Sequence, residues 1–184
     1  MNSLDKKLDE VLKFWFEELE PKDWWKKSDD LDSEIQKRFS EIHKLASEGK
    51  LEDFRTSPQR RLAEIIVLDQ FSRNMYRGTP ASFAFDDMAL RLAENMVADG
   101  EDLKLEKQER QFAYLPYMHS ESLEVHDRAV ELFAKSGLEN NLKFEHAHRD
   151  IIVRFGRYPH RNKILGRQSS QEELEFLTQP GSSF

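Results

Sequence analysis

A chain of 184 residues with 34% charged residues, only seven glycines and six prolines, and apolar residues at helical spacing suits one all-α domain with a sizeable buried core. It contains no cysteine, which removes disulfides, zinc-thiolate centres and thiol nucleophiles and fits a reducing compartment. The net charge of −7 opposes general nucleic-acid binding, and the acid-rich start is neither a signal peptide nor a membrane span, so a soluble cytoplasmic protein with no membrane partner is expected.

The first helix is expected over residues 4–20, where Leu4, Leu8, Val11, Leu12, Trp15, Phe16 and Leu19 share a face behind Ser3 and before Pro21. Trp24 and Trp25 follow in a connection and should lid the core. A second helix from about Asp30 to Glu48 carries the stripe Leu31, Ile35, Phe39, Ile42 and Leu45 and stops at Gly49. The third opens at Ser57 and Pro58 and runs to about Asn74. It is apolar nearly all round, so it is expected to be the buried central helix. Asp69 and Arg73 lie on its stripe one turn apart, either as an internal salt bridge or as the wall of a polar cavity.

Thr79 is expected to cap a fourth helix that ends at Gly100. A short helix from about Glu106 to Leu115 should break at Pro116. His119 or Ser120 should cap the next, which ends at Gly137, and Ser169 or Ser170 a last one ending near Thr178. Residues 178–184 read as a frayed tail. Seven to eight helices with mostly short connections give a single domain over 1–184, an irregular array of antiparallel helical hairpins with no fixed repeat.

The segment His146–Arg167 stands apart, with three of the six histidines and six basic residues against one acid. Read as a helix, residues 144–157 place Phe144, Ala147, Ile151, Ile152 and Phe155 on an apolar side and His146, Arg149, Asp150 and Arg157 on a polar one. Asp150 lies one turn from His146 and is placed to orient it. His148 falls among the apolar residues and points inward. Gly156 and Pro159 end the helix and leave His160, Arg161 and Asn162 on a turn.

Three strings, LDQFSRNMYRGTP (68–80), FAYLPYMHSESL (112–123) and HRDIIVRFGRYPHRNKILGR (148–167), resemble the signature segments of an uncharacterised, mostly bacterial family known as domain of unknown function nine hundred and twenty-four. The likeness extends to VLKFWF near the start and EELEFL near the end. It implies an all-helical, tetratricopeptide-like fold, and no settled activity comes with it. Such arrays bind peptides in a groove, which adds a protein-interaction scaffold as the alternative reading.

The polar residues gather at helix ends. His119, Glu121, His148 and His160 are the candidate catalytic side chains. Asp69, Gln70, Arg73, Asn74, Tyr76, Arg77, Arg154, Arg157, Arg161 and Asn162 are the candidate ligand contacts. If these line one cavity, several guanidinium groups there call for an anion, matched by planar bidentate donors. A histidine beside it would move a proton, as in a hydrolase or transferase acting on a small anionic molecule. The partners expected are therefore a small anionic molecule or an acidic peptide. A metal held by His119, Glu121, His148 and His160 fits less well, because cationic neighbours oppose a divalent ion. A P-loop and a dinucleotide fingerprint are both absent, and the sequence leaves any cofactor unknown.

Overall fold

The computed structural model describes residues 3–184, and within them the chain is all-helical, with eight helices and no strand. Helix α1 (Ser3–Lys13) continues as a π-helical turn, Phe14–Glu18. Helix α2 (Asp29–Ser47) is capped by the Ser28 hydroxyl, which accepts from the Leu31 N–H. Helix α3 opens on the expected Ser57 cap, runs over Pro58–Ile66, widens into a second π turn at Val67–Phe71 and closes as Ser72–Met75. Then come α4 (Asp86–Ala98), α5 (Lys107–Met118), α6 (Leu123–Lys135), α7 (Glu139–Phe155) and α8 (Gln171–Phe176). No helix among the described residues is long and apolar enough to cross a membrane. The chain divides into two compact units, Met1–Arg77 with Ala81–Pro116 and Gly78–Pro80 with Tyr117–Phe184.

In the first unit α3 is the centre, with α1, α2 and α4 packed against it. Every residue from Leu62 to Ser72 is buried, as the all-round apolar pattern predicted. The charged members of that run are matched by partners. Arg55 grips Glu64 with two hydrogen bonds of 2.7 and 2.9 Å. The two π turns meet in an aromatic cluster: Phe71 of the second lies 6.2 Å from Phe14 and 5.6 Å from Trp15 of the first, and 4.9 Å from Phe39 of α2. In a π turn the carbonyls bond five residues on instead of four. The Ser72 hydroxyl donates to the Leu68 carbonyl at 2.6 Å and supplies the i+4 donor that the backbone no longer gives. Trp24 does lid this core, its indole N–H donating to the Trp15 carbonyl at 2.9 Å, whereas Trp25 stacks on Phe112 and remains exposed.

Three expected boundaries differ. Helix α4 begins at Asp86 rather than after Thr79, because Pro80–Ser82 forms a separate 3-10 turn. Pro116 lies inside α5 without ending it, since its fixed φ suits the helix and only the last turn lacks its N–H. The cap residue of α6 is Ser122, and the Ser120 hydroxyl accepts from the Ser122 N–H at 3.1 Å instead of capping the helix directly.

In the second unit α6 and α7 form a hairpin joined at 136–138. Gly156 ends α7 in the left-handed conformation at φ 68°, where any side chain would be strained. A reciprocal capping box between Ser170 and Glu173 opens α8. In the tail, Ser182 is buried and donates to the Leu177 carbonyl at 3.3 Å, and Phe184 stacks on His148. The buried stripe of α7 keeps the expected His148, Ile151 and Ile152 but not Phe144 and Ala147, which are exposed. Phe144 is 57% exposed, and the buried face is Asn141, Glu145, His148, Ile151 and Ile152.

His43 of α2 shows what enclosure does to a titratable group. Its Nε2 is 2.8 Å from the Ser72 hydroxyl, its ring packs edge-on against Tyr76 and Phe85, and burial pushes its pKa from 6.5 to about 4. The unfolded chain takes up this proton first as pH falls, so stability declines below pH 6.5 and levels off near 4. We expect His43 to contribute a loss of up to about 3 kcal/mol across that window. The substitution His43→Gln, which cannot charge, flattens that part of the loss in urea unfolding followed against pH.

Candidate functional site

In the first unit the candidate ligand residues come from the π turn and last turn of α3. Gln70 donates to Asp69 Oδ2 at 2.6 Å, and Arg73 lies 3.2 Å from Asp69 Oδ1. The same Arg73 guanidinium forks onto Asp86 at 2.8 and 3.0 Å. Asn74 and Arg77 both turn to Asp32 of α2, at 2.8 Å from the amide and 2.6 and 2.8 Å from the guanidinium. Burial alone would raise the Asp32 pKa, but these two donors overcome it and lower it. Tyr76 rests against His43, 5.3 Å between rings. An open cleft of about 340 Å³ lies beside these groups, lined by Asp32, Ser33, Gln36, Lys37, Asn74 and Met75.

In the second unit the turn after α7 is strapped to the loop before α6. Arg167 forks onto Glu121 at 2.7 and 2.9 Å, and the Tyr158 N–H donates to the same carboxylate at 2.7 Å. Burial opposes charge on Glu121, yet Arg167 and Tyr158 hold its pKa below the ordinary value. Glu121, one of the candidate catalytic side chains, is thus held as a clamp between Arg167 and the Tyr158 backbone. Arg154 bonds Glu172 at 2.9 Å, and Arg157 forks onto Glu173 at 2.7 and 2.8 Å and holds that carboxyl down at about 2. Buried Asn162 donates to Ser169 at 3.0 Å and accepts from Arg167 at 2.9 Å. Arg73, Arg77, Arg154 and Arg157 thus have carboxylates of their own.

A second group of side chains gathers around Tyr158, which is buried and donates its hydroxyl to the Met118 carbonyl at 2.6 Å. Three imidazoles surround its ring: His160 at 5.6 Å, His148 at 5.9 Å and His126 at 6.1 Å between centroids. The Arg161 guanidinium, buried, lies over the same ring at 4.7 Å and donates to the His119 carbonyl at 2.8 Å. His148 gives its Nδ1–H to the Phe144 carbonyl at 2.7 Å, which leaves Nε2 as the basic nitrogen. Burial pushes its pKa down to about 3, so the ring is uncharged. His146 and Asp150 sit on the exposed side of α7.

Two residues at the centre of this cluster, His126 and Glu145, were not among the candidates. His126 Nε2 faces two acceptors, the Ser120 carbonyl at 2.8 Å and the Tyr158 oxygen at 3.2 Å, whose own hydrogen goes to Met118. Nε2 must therefore carry a hydrogen. Nδ1 lies 2.5 Å from Glu145 Oε1, so a single proton is shared between the two and the pair is neutral overall wherever that proton rests. Burial raises the Glu145 pKa against the pull of His126. Its other oxygen is buried and accepts no hydrogen bond from any described residue, which favours the proton on the carboxyl. Both residues had a signal in the sequence. His126 lies in line with Ala129 and Phe133, and Glu145 with His148 and Ile152, at the spacing of buried stripes.

Among the described residues no group of three or more His, Cys, Asp or Glu side chains is arranged to hold a metal ion. Helices throughout, with a histidine, tyrosine and carboxylate cluster enclosed in the second unit, make this an all-helical protein with a buried polar centre. The chain belongs to the family described as "Bacterial protein of unknown function (DUF924)", which matches residues 11–181. Its fold is also that of a protein of unknown function from Agrobacterium tumefaciens, 33% identical, with a TM-score of 0.86 over 95% of this chain and 97% of that one. No curated protein matches the chain.

The shared proton makes a direct prediction. Glu145→Ala leaves His126 buried without its partner and lowers stability by about 3–5 kcal/mol in urea unfolding. Glu145→Gln, whose amide can still donate to Nδ1, retains most of it; a loss as large as that of the alanine variant would show the pair to be ionic.

Proposed function

We propose that the protein binds a small anionic molecule in the second unit, beside His148, His160 and Arg161, and that these histidines give it the acid-base chemistry of a hydrolase or transferase. The observation that carries this reading is the gathering of a buried guanidinium and an uncharged imidazole around the one ring of Tyr158. The guanidinium supplies charge in a region sheltered from water, where an anion is held more strongly than at the surface. The imidazole, its Nδ1 tied to the Phe144 carbonyl, offers a fixed acceptor for a ligand hydroxyl. Glu121, Arg157 and Asn162 take the role of supports that fix the turn carrying His160 and Arg161.

The second reading is a non-enzymatic, tetratricopeptide-like helical scaffold for a protein or peptide. It is favoured by the arginines that already hold carboxylates, at Asp86, Asp32, Glu172 and Glu173. The two readings part in a thermal-shift experiment with inorganic phosphate and acetate, compared with sodium chloride at the same ionic strength. A ligand at about one hundred times its Kd raises the melting temperature by roughly 5–10 °C. The effect should vanish in Arg161→Gln, which keeps a donor for the His119 carbonyl but loses the charge. An equal response to chloride in both proteins would remove the anion-binding reading and leave the scaffold.

A further inference from the structure

We propose that the place filled by the Phe184 ring is a subsite for a planar aromatic group, and that Phe184 is a displaceable plug in it. This rests on the anion-binding reading and narrows the ligand to an aromatic acid whose ring lies against His148 and whose charge is near Arg161. The Phe184 ring is stacked on the His148 imidazole, 3.7 Å between centroids at 24°, and meets His160 and Tyr158 edge-on at 5.4 Å and 5.9 Å. One ring is thus held by a face and two edges of three others, the arrangement that aromatic quadrupoles favour. Stacking this close admits a flat ring and excludes a saturated one, whose axial hydrogens need more room.

The occupant is held weakly. Phe184 remains 59% exposed, and beside it Ser182 anchors the segment with one long 3.3 Å bond. The surface it covers is strongly built by contrast. Tyr158 is buried and bonded to Met118, and His148 is pinned through Nδ1 and kept uncharged by burial, so its face is a neutral aromatic one. A rigid floor under a loosely held ring is what an exchangeable occupant requires. While the plug is in place, the apparent affinity for a ligand ring falls by the fraction of time the subsite is closed.

The test measures calorimetric binding of benzoate, benzamide and cyclohexanecarboxylate to the wild type, Phe184→Ala and Phe184→Trp. Benzoate and benzamide are expected to bind Phe184→Ala about three- to tenfold more tightly than wild type. Phe184→Trp, which keeps a plug, shows no such gain, and cyclohexanecarboxylate binds all three proteins alike. The subsite is overturned if neither ring compound gains on Phe184→Ala, including no detectable binding, or if cyclohexanecarboxylate gains equally. The outcomes separate the two readings. Benzamide binding Phe184→Ala as tightly as benzoate keeps the subsite and removes the anion, whereas cyclohexanecarboxylate binding with no gain for the ring compounds keeps the anion and removes the subsite.

Discussion

The proton shared by His126 and Glu145 is the constraint on which the second unit depends. Neither group can be charged alone at full burial without a penalty of several kcal/mol. The pair is tolerated because one proton, moved between Nδ1 and Oε1, leaves it neutral in sum. That same proton count fixes Nε2 as a donor, which fixes the Ser120 carbonyl and the Tyr158 oxygen as acceptors and sends the Tyr158 hydrogen to Met118. The position of Tyr158 then decides where His148, His160 and Arg161 meet. A chain of hydrogen bonds with one allowed direction is stiff, and stiffness is what a binding surface needs.

The first unit reaches its order by a different route. Two π turns, each a local break in the helical ladder, bring Phe14, Trp15 and Phe71 into one aromatic cluster. The second turn also buries Asp69 and Gln70 together and leaves Arg73 between Asp69 and Asp86. The arginines that looked like ligand contacts are mostly consumed in holding helices to one another. Arg77 ties the end of α3 to α2 through Asp32, and in the second unit Arg157 ties the turn after α7 to α8 through Glu173. The carboxylates of Arg77 and Arg157 lie 45 and 16 residues away in the chain, and no local spacing announces them, unlike Asp69, one turn before Arg73.

The helices themselves were largely written in the periodicity. Ser57 with Pro58, Gly156 and Ser170 with Glu173 mark ends because a hydroxyl, a left-handed turn and a capping box satisfy backbone groups locally. The apolar run from Leu62 to Leu68, interrupted by Glu64, identified α3 as the enclosed helix by the same kind of reasoning. These properties involve a residue and its neighbours within one or two turns. Pro116 and Thr79 misled for a related reason, since each states a preference that packing was free to set aside.

What only the tertiary structure decided is which polar side chains are enclosed and with whom. Phe144 and Glu145 are adjacent, and hydrophobicity alone buries the first and exposes the second; the fold does the reverse because His126 waits on α6 with a proton to share. Glu121 reads as a free acid until Arg167, 46 residues on, closes over it. Phe184 reads as a loose end until His148 offers it a ring to stack on. The sequence by itself determined seven to eight helices, several of their caps and a central core, because those follow from spacing along one chain. The histidine and tyrosine cluster belongs to tertiary structure, because a buried charge is acceptable only beside its partner, and partners meet only after the chain has folded.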